Sequence, residues 1–484
     1  MNSKDSFMKN VSIQLSRHDQ FQLEAKIIYP LVPGQKSCDY SVDMFFFLPR
    51  NLAVNAASYT HREFYNDFSE YIRFKTPSMR LADLIKPGNS VMQKLSRAAT
   101  RLPASKDEFE RCLKMFCSIA RSSLRDDAQK IKQSPPDERN HLLTAYLNSI
   151  EKLLALFRAY RNAAGDTETY LLVDEYLSIM AGNYLYELWE FFVQNGCSGC
   201  SEENKQKIIH LTHSETEYRR ACKYPSVPDE NSDNAELLYR ESVLKKAMAS
   251  ILFLNVDTRK DGVWIENLFM SLSAAVAMIF VTAVAFIWQG LYLEEFSLSF
   301  FIVWVIAYMF KDRIKFILQN YCLSKRSRYS YDYRQKVFDG LGNKVGTFHE
   351  GFRFCDAGDI DEKITEVRNP TALSLLENGS LKENVLVYRK KIELSGDACK
   401  NIFQEFQVDG VVNIYRLNIR HWLNKMDNPQ RIIYNSDGKT IRPLKARRDY
   451  HVNLIIKVSK KGCQDKFVRC RLVLCRSGIR FFSR

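Results

Sequence analysis

The chain has 484 residues, 46% of them hydrophobic and 26% charged, with a formal net charge of +14. That balance excludes a disordered chain, a collagen-like repeat and a small disulfide scaffold, and the length suffices for several domains with cores of their own. The charge is uneven: residues 1–310 hold 35 Lys+Arg against 37 Asp+Glu, whereas residues 311–484 hold 35 against 19.

The opening stretch, MNSKDSFMKNVSIQLSRHD, has no apolar core and no small-residue cleavage site, so no secretory leader is expected. The first sixty residues read as a small β-rich segment. VSIQL, FQLEAKIIY and YSVDMFFFL are rich in strand formers and broken by the turn-like PLVPGQKS. Twelve cysteines scattered without framework spacing read as reduced thiols.

Residues 61–260 read as a helical bundle. Ser105 with Glu108 three residues on forms a capping-box pattern ahead of an apolar helical repeat. Pro136 near the start and Gly165 at the end bound the next helix, and residues 167–192 and 234–254 carry further helical periodicity. Within the bundle, NGCSGCSEENKQKIIHLTH sets Cys197, Cys200, His210 and His213 at C-x2-C-x9-H-x2-H. Two thiolates and two imidazoles suit tetrahedral zinc, with Gly196 and Gly199 letting the backbone wrap an ion. The histidine spacing is shorter than zinc sites use, and a Gly-rich interhelical loop or a redox dithiol are the competing readings.

From Asn267 to Leu293 there are 27 consecutive residues without Asp, Glu, Lys or Arg. About 20 suffice to cross a hydrocarbon core of ~30 Å, and Trp264 and Trp288 would set an indole at each interface. A second run, residues 296–310, is shorter, but Lys311 and Arg313 at its end can snorkel to headgroups. Together the two runs predict a transmembrane hairpin over residues 264–310, with helices near 265–290 and 296–312. The small residues Ser271, Ser273, Ala274, Ala275 and Ala277 permit close helix contact, within the hairpin or in a homo-oligomer. Lys and Arg flank the pair on its outer ends and are missing from the connection, so two spans with both termini cytoplasmic are expected.

Residues 311–350 read as a basic juxtamembrane segment followed by a hairpin turning at Gly340 and Gly342. Residues 351–484 read as a basic, β-rich domain, with a second hairpin around Asp437 and Gly438 and two late strands in YHVNLIIKVSKKG and DKFVRCRLVLCR. In DAGDIDEKITEVRNP, Asp359 is the expected helix cap with Glu362 in the first turn. Two basic clusters, Arg389, Lys390 and Lys391, and Arg442, Lys445, Arg447 and Arg448, are candidates for binding phosphate groups of lipid or nucleic acid, against the alternative of solvated loops.

The fold class expected is therefore a multi-domain membrane protein: a small β segment and α-helical bundle, a two-helix transmembrane hairpin, and a basic α+β C-terminal domain. No phosphate-loop, nucleophile-elbow, zinc-protease or kinase signature occurs. The functional expectation is an anchor for cytoplasmic binding or regulatory domains, the last docking an anionic partner. A pore-forming or bilayer-perturbing oligomer is the alternative, and an enzyme a lesser one.

Overall fold

The computed structural model describes residues 10–31, 37–101, 106–164, 167–196, 198–291, 298–329, 331–368, 383–396 and 407–483. Strands β1 (Ser12–Arg17), β2 (Gln22–Pro30) and β3 (Ser37–Leu48) come first. Helix α1 (His61–Asp67) follows, opened by a capping box between Thr60 and Glu63, and runs straight into β4 (Phe68–Phe74). Strand β2 alternates strictly, burying Leu23, Ala25, Ile27 and Tyr29. Strand β3 is buried on both faces. Tyr40, Val42, Met44 and Phe46 enter the main core, while Phe45 and Phe47 enter a second, smaller one with Val385, Val387 and Ile455. A run such as MFFFL marks a strand covered from both sides.

The bundle consists of α2 (Ser90–Thr100), α3 (Lys106–Gln133), α4 (Pro136–Arg158), α5 (Glu168–Gln194), α6 (Glu202–Ala221) and α7 (Ala235–Ala249). Pro136 occupies the first turn of α4, as its missing N–H allows. Ser105 and Gly165, read as boundaries, lie outside the described residues. Buried charges tie four of these helices together. Arg158 of α4 grips Glu215 of α6 at 2.7 and 3.0 Å, Tyr218 donates to Asp174 of α5 at 2.6 Å, and Arg240 of α7 grips Glu175 with two bonds of 2.7 Å.

Strand β5 (Asn255–Lys260) leads into α8 (Val263–Leu291), and α9 (Leu298–Tyr329) returns to β6 (Tyr333–Phe338). Then come β7 (Lys344–Asp356), the short helix α10 (Glu362–Arg368), β8 (Asn384–Ser395) and β9 (Gly410–Asn418). The chain ends in β10 (Gln430–Ser436), β11 (Ile441–Arg447), β12 (Tyr450–Ser459), β13 (Lys466–Cys475) and β14 (Gly478–Ser483). Asp361, not Asp359, opens α10, accepting from Lys363 N at 3.2 Å.

The architecture is mixed α+β. One sheet has eight strands in the order β14-β13-β12-β3-β8-β7-β6-β5, and a second has four, β1-β2-β9-β4. Both are antiparallel throughout. The strands of residues 1–60 and of residues 351–484, expected as two separate units, are interleaved: β3 lies between β8 and β12, and β2 pairs with β9. The hairpins expected at Gly342 and Gly438 and the late pair β12–β13 form as read.

Candidate functional site

Helices α8 and α9 lie antiparallel, with Ser273, Ala277 and Val281 of one and Ala307 of the other buried. The i, i+4, i+8 spacing of the first three makes them one stripe, so these small residues serve contact inside the hairpin. Most other described apolar side chains of the pair are exposed, among them Trp264 (70% exposed), Phe286 (72%) and Phe301 (65%). One helix among the described residues, α8, is long and apolar enough to cross a membrane, and only 17% of its most apolar stretch is buried. Apart from its seam with α9, most of that stretch is uncovered.

Helix α9 differs from expectation. Its apolar part ends at Phe310, and any 18-residue stretch from Leu298 takes in Lys311, Asp312, Arg313 and Lys315. The apolar part covers roughly 20 Å at 1.5 Å per residue, short of the ~30 Å of a hydrocarbon core. The second span of residues 296–312 therefore lacks the length that α8 has. Lys311 folds back over the Tyr308 ring at 3.7 Å, Arg313 is exposed, and Trp288 is half-buried. The connection with Glu294 and Glu295 lies outside the described residues.

Where the hairpin meets the sheet, two aspartates rivet both ends. Lys260 pairs with Tyr333 in the last rung of β5–β6, and Asp261 N donates to Asp332 O at 2.9 Å. His349 Nδ1 lies 2.7 Å from Asp261. The Asp332 carboxylate accepts from Tyr65 OH at 3.0 Å and from Phe352 N at 2.8 Å, with His61 at 3.3 Å. That hydrogen bond to Asp332 raises the His61 pKa above its usual value.

The predicted basic residues are divided by the pleat. Arg389 and Lys391 face outward from β8, whereas Lys390 points between the two sheets and is fully buried. There its ammonium pairs with Glu70 of β4, donates to Gln335 Oε1 at 2.8 Å and lies 3.9 Å from Glu350. Tyr388 donates to Glu350 at 2.8 Å and Asn413 to Glu70 at 3.1 Å. Burial raises the Glu70 pKa, opposed by Lys390. A cavity of about 320 Å³ adjoins this cluster. Lys390 is thus an internal counter-ion, and Glu70, Glu350 and Gln335, none of them singled out in the sequence, complete its shell. For Lys390 the signal is period-two alternation, which puts it in phase with Leu386, Tyr388, Ile392 and Leu394.

The second cluster stays on the surface. Strands β10 and β11 form an isolated two-stranded ribbon with almost every residue exposed. Ile432, Tyr434 and Ile441 share a face with Lys445 and Arg447, and Ile433 and Leu444 share the other with Arg431 and Arg442. Arg442 reaches Asp437 at 3.3 Å, and Arg448, just beyond the ribbon, pairs with Asp427. An isolated ribbon is marginally stable in water, and its bare Ile, Leu and Tyr side chains ask for a cover.

The proposed zinc ligands are not brought together. Cys197 lies outside the described residues. Cys200 precedes the N-cap Ser201 of α6, while His210 and His213 are exposed farther along it, about 12 Å or more of helix rise away. Among the described residues no group of three or more metal-ligating side chains occurs. Gly199 has a packing reason: at φ +79°, a Cβ there would meet Pro136 O at 2.6 Å. No family model, curated protein or solved structure matches the chain.

Proposed function

We propose that this is an integral membrane protein inserted through the α8–α9 hairpin, with the regions on either side of the hairpin on one face of the bilayer, and that its basic ribbon rests on anionic headgroups of that leaflet. The observation that carries the reading is the sharing of sheets across the hairpin: β5 with β6, β3 with β8 and β12, β2 and β4 with β9. One sheet cannot lie on both sides of a bilayer, because its backbone bonds would have to cross hydrocarbon. A chain that crosses at α8 must return before β6, and α9 is the helix in between. Its shorter apolar part is compatible with tilt, local thinning and snorkelling of Lys311. Lys and Arg cluster at the sheet end of the hairpin, which favours the cytoplasmic side for both flanks.

The ribbon supports the second half of the proposal. Arg431, Lys439, Arg442, Lys445 and Arg447 stand among exposed Ile432, Tyr434 and Ile441, a combination that suits a charged, greasy interface better than a nucleic-acid backbone. The test is fractionation of membranes carrying the full chain. It is expected to resist alkaline and high-salt washes and to leave only with detergent, and protease added to one side is expected to reach both flanks. Release by alkali sinks the anchor. For the ribbon, solubilised protein is expected to bind vesicles containing phosphatidylserine, and Arg442→Ala with Lys445→Ala and Arg447→Ala to weaken this; binding to nucleic acid in place of vesicles overturns it.

A further inference from the structure

A cleft of about 330 Å³ opens where the four-stranded sheet meets the helical bundle, in none of the regions that the basic sequence clusters mark. Arg73 of β4 enters from the sheet, Arg121 and Arg125 from α3, and Lys245 and Lys246 from α7. No carboxylate lines the cleft among the described residues. Of the five cations only Arg125 has an ion-pair partner there, Asp126 at 2.7 Å. Burial and the neighbouring Arg125 and Arg121 lower the Arg73 pKa, and partial desolvation with Arg121 lowers that of the otherwise exposed Lys245, partly offset by Glu241. Positive groups held this close repel one another, and a bound anion relieves them.

The walls carry what an anion needs besides charge. Ser118 and Ser122 line the α3 side, and Ser118 is fixed by donating to Met248 O at 3.1 Å. Tyr176, 1% exposed, contributes a hydroxyl that has no hydrogen-bond partner. Buried polar groups are almost always partnered, so an orphan in a cleft wall points to an absent ligand or water. Leu252 and Phe253, the latter bridged by its backbone to Arg73, add an apolar part to the lining.

We propose that this cleft binds a small organic phosphate with two or more phosphoryl groups, gripped by Arg73, Arg121, Arg125, Lys245 and Lys246, its organic body against Leu252 and Phe253. Guanidinium forks match phosphate oxygens in pairs. Five cations around so small a space exceed what one carboxylate or monophosphate neutralises, and the volume is at the lower end for ligand pockets. The site stands apart from the membrane reading and does not depend on it.

The experiment is calorimetric titration and thermal melting of the full chain in mild detergent with ATP, inorganic pyrophosphate, adenosine and a short-chain diphosphorylated inositol lipid. Saturable binding of ATP above pyrophosphate, with none of adenosine, is expected. Lys245→Ala with Lys246→Ala, both exposed and outside the core, is expected to weaken binding about tenfold or more while the ligand-free melting temperature does not fall. Tyr176→Phe is expected to weaken it by a smaller factor. Binding of the inositol lipid alone, lost in the double variant, keeps the site and gives its phosphates a lipid source. No saturable binding of any phosphate probe at low salt, or binding indifferent to the double substitution, overturns the proposal.

Discussion

Lys390 on the eight-stranded sheet and Glu70 on the four-stranded sheet form an ion pair between the sheets, with the lysine side chain fully buried and the glutamate 8% exposed. Removing the cation alone strands Glu70 and Glu350 together. Lys390→Ala is expected to destabilise the protein by about 3–5 kcal/mol, while Lys390→Met combined with Glu70→Gln is expected to cost less than Lys390→Ala. Thermal melting in one detergent orders the three proteins, and a Lys390→Ala protein as stable as the parent refutes the internal role.

His61 supplies a pH dependence with a definite sign. Asp332 raises its pKa above 6.5 in the folded protein, so the charged imidazole is favoured there. That contribution is complete below 6.5 and is lost as pH climbs through the raised value. The parent is expected to gain stability from pH 8 to pH 6 relative to His61→Gln, whose profile over that window is flatter. Parallel profiles for the two proteins contradict this.

The hairpin seam distinguishes two alanines. Ala277 is buried against the companion helix and Ala275 faces out. Ala277→Leu is expected to wedge the helices apart and to cost about 1–3 kcal/mol, seen as a lower melting temperature. Ala275→Leu is expected to leave the melt unchanged. Equal effects on the melt argue against the seam as described.

Gly478 closes the contact between the two ends of the chain. Its φ is +133° and an added Cβ would lie 2.4 Å from Gln20 O. Gly478→Ala is expected to cost about 1–3 kcal/mol and to loosen the bonds from Ile479 N to Gln20 O and from Gln20 Nε2 to Ser477 O. Amide exchange at Ile479 reports it, and unchanged protection contradicts the steric argument.

Local signals in the sequence translated well, because they are written in neighbouring residues: the period of β2, the proline opening α4, the glycine turns of β6–β7 and β10–β11. Sheet order is not local. Nothing near Phe45–Phe46–Phe47 announces that its partners are Val387 and Ile455, more than 300 residues away. The Arg389–Lys390–Lys391 triplet misled because a charge run was read as one surface, when a strand turns its middle member inward. The five cations of the cleft were unreadable for the same reason as the sheet order, since β4, α3 and α7 contribute them from well-separated stretches.

The interleaving of β3 also dictates a timetable. During synthesis this strand leaves the ribosome more than three hundred residues ahead of either neighbour, and the greasy helices emerge in the interval. The central strand must therefore wait, unpaired and sticky, until β8 and β12 have been made. A product that stops before β12 would leave one edge of it bare, so truncation there is expected to produce aggregation rather than a shorter working protein.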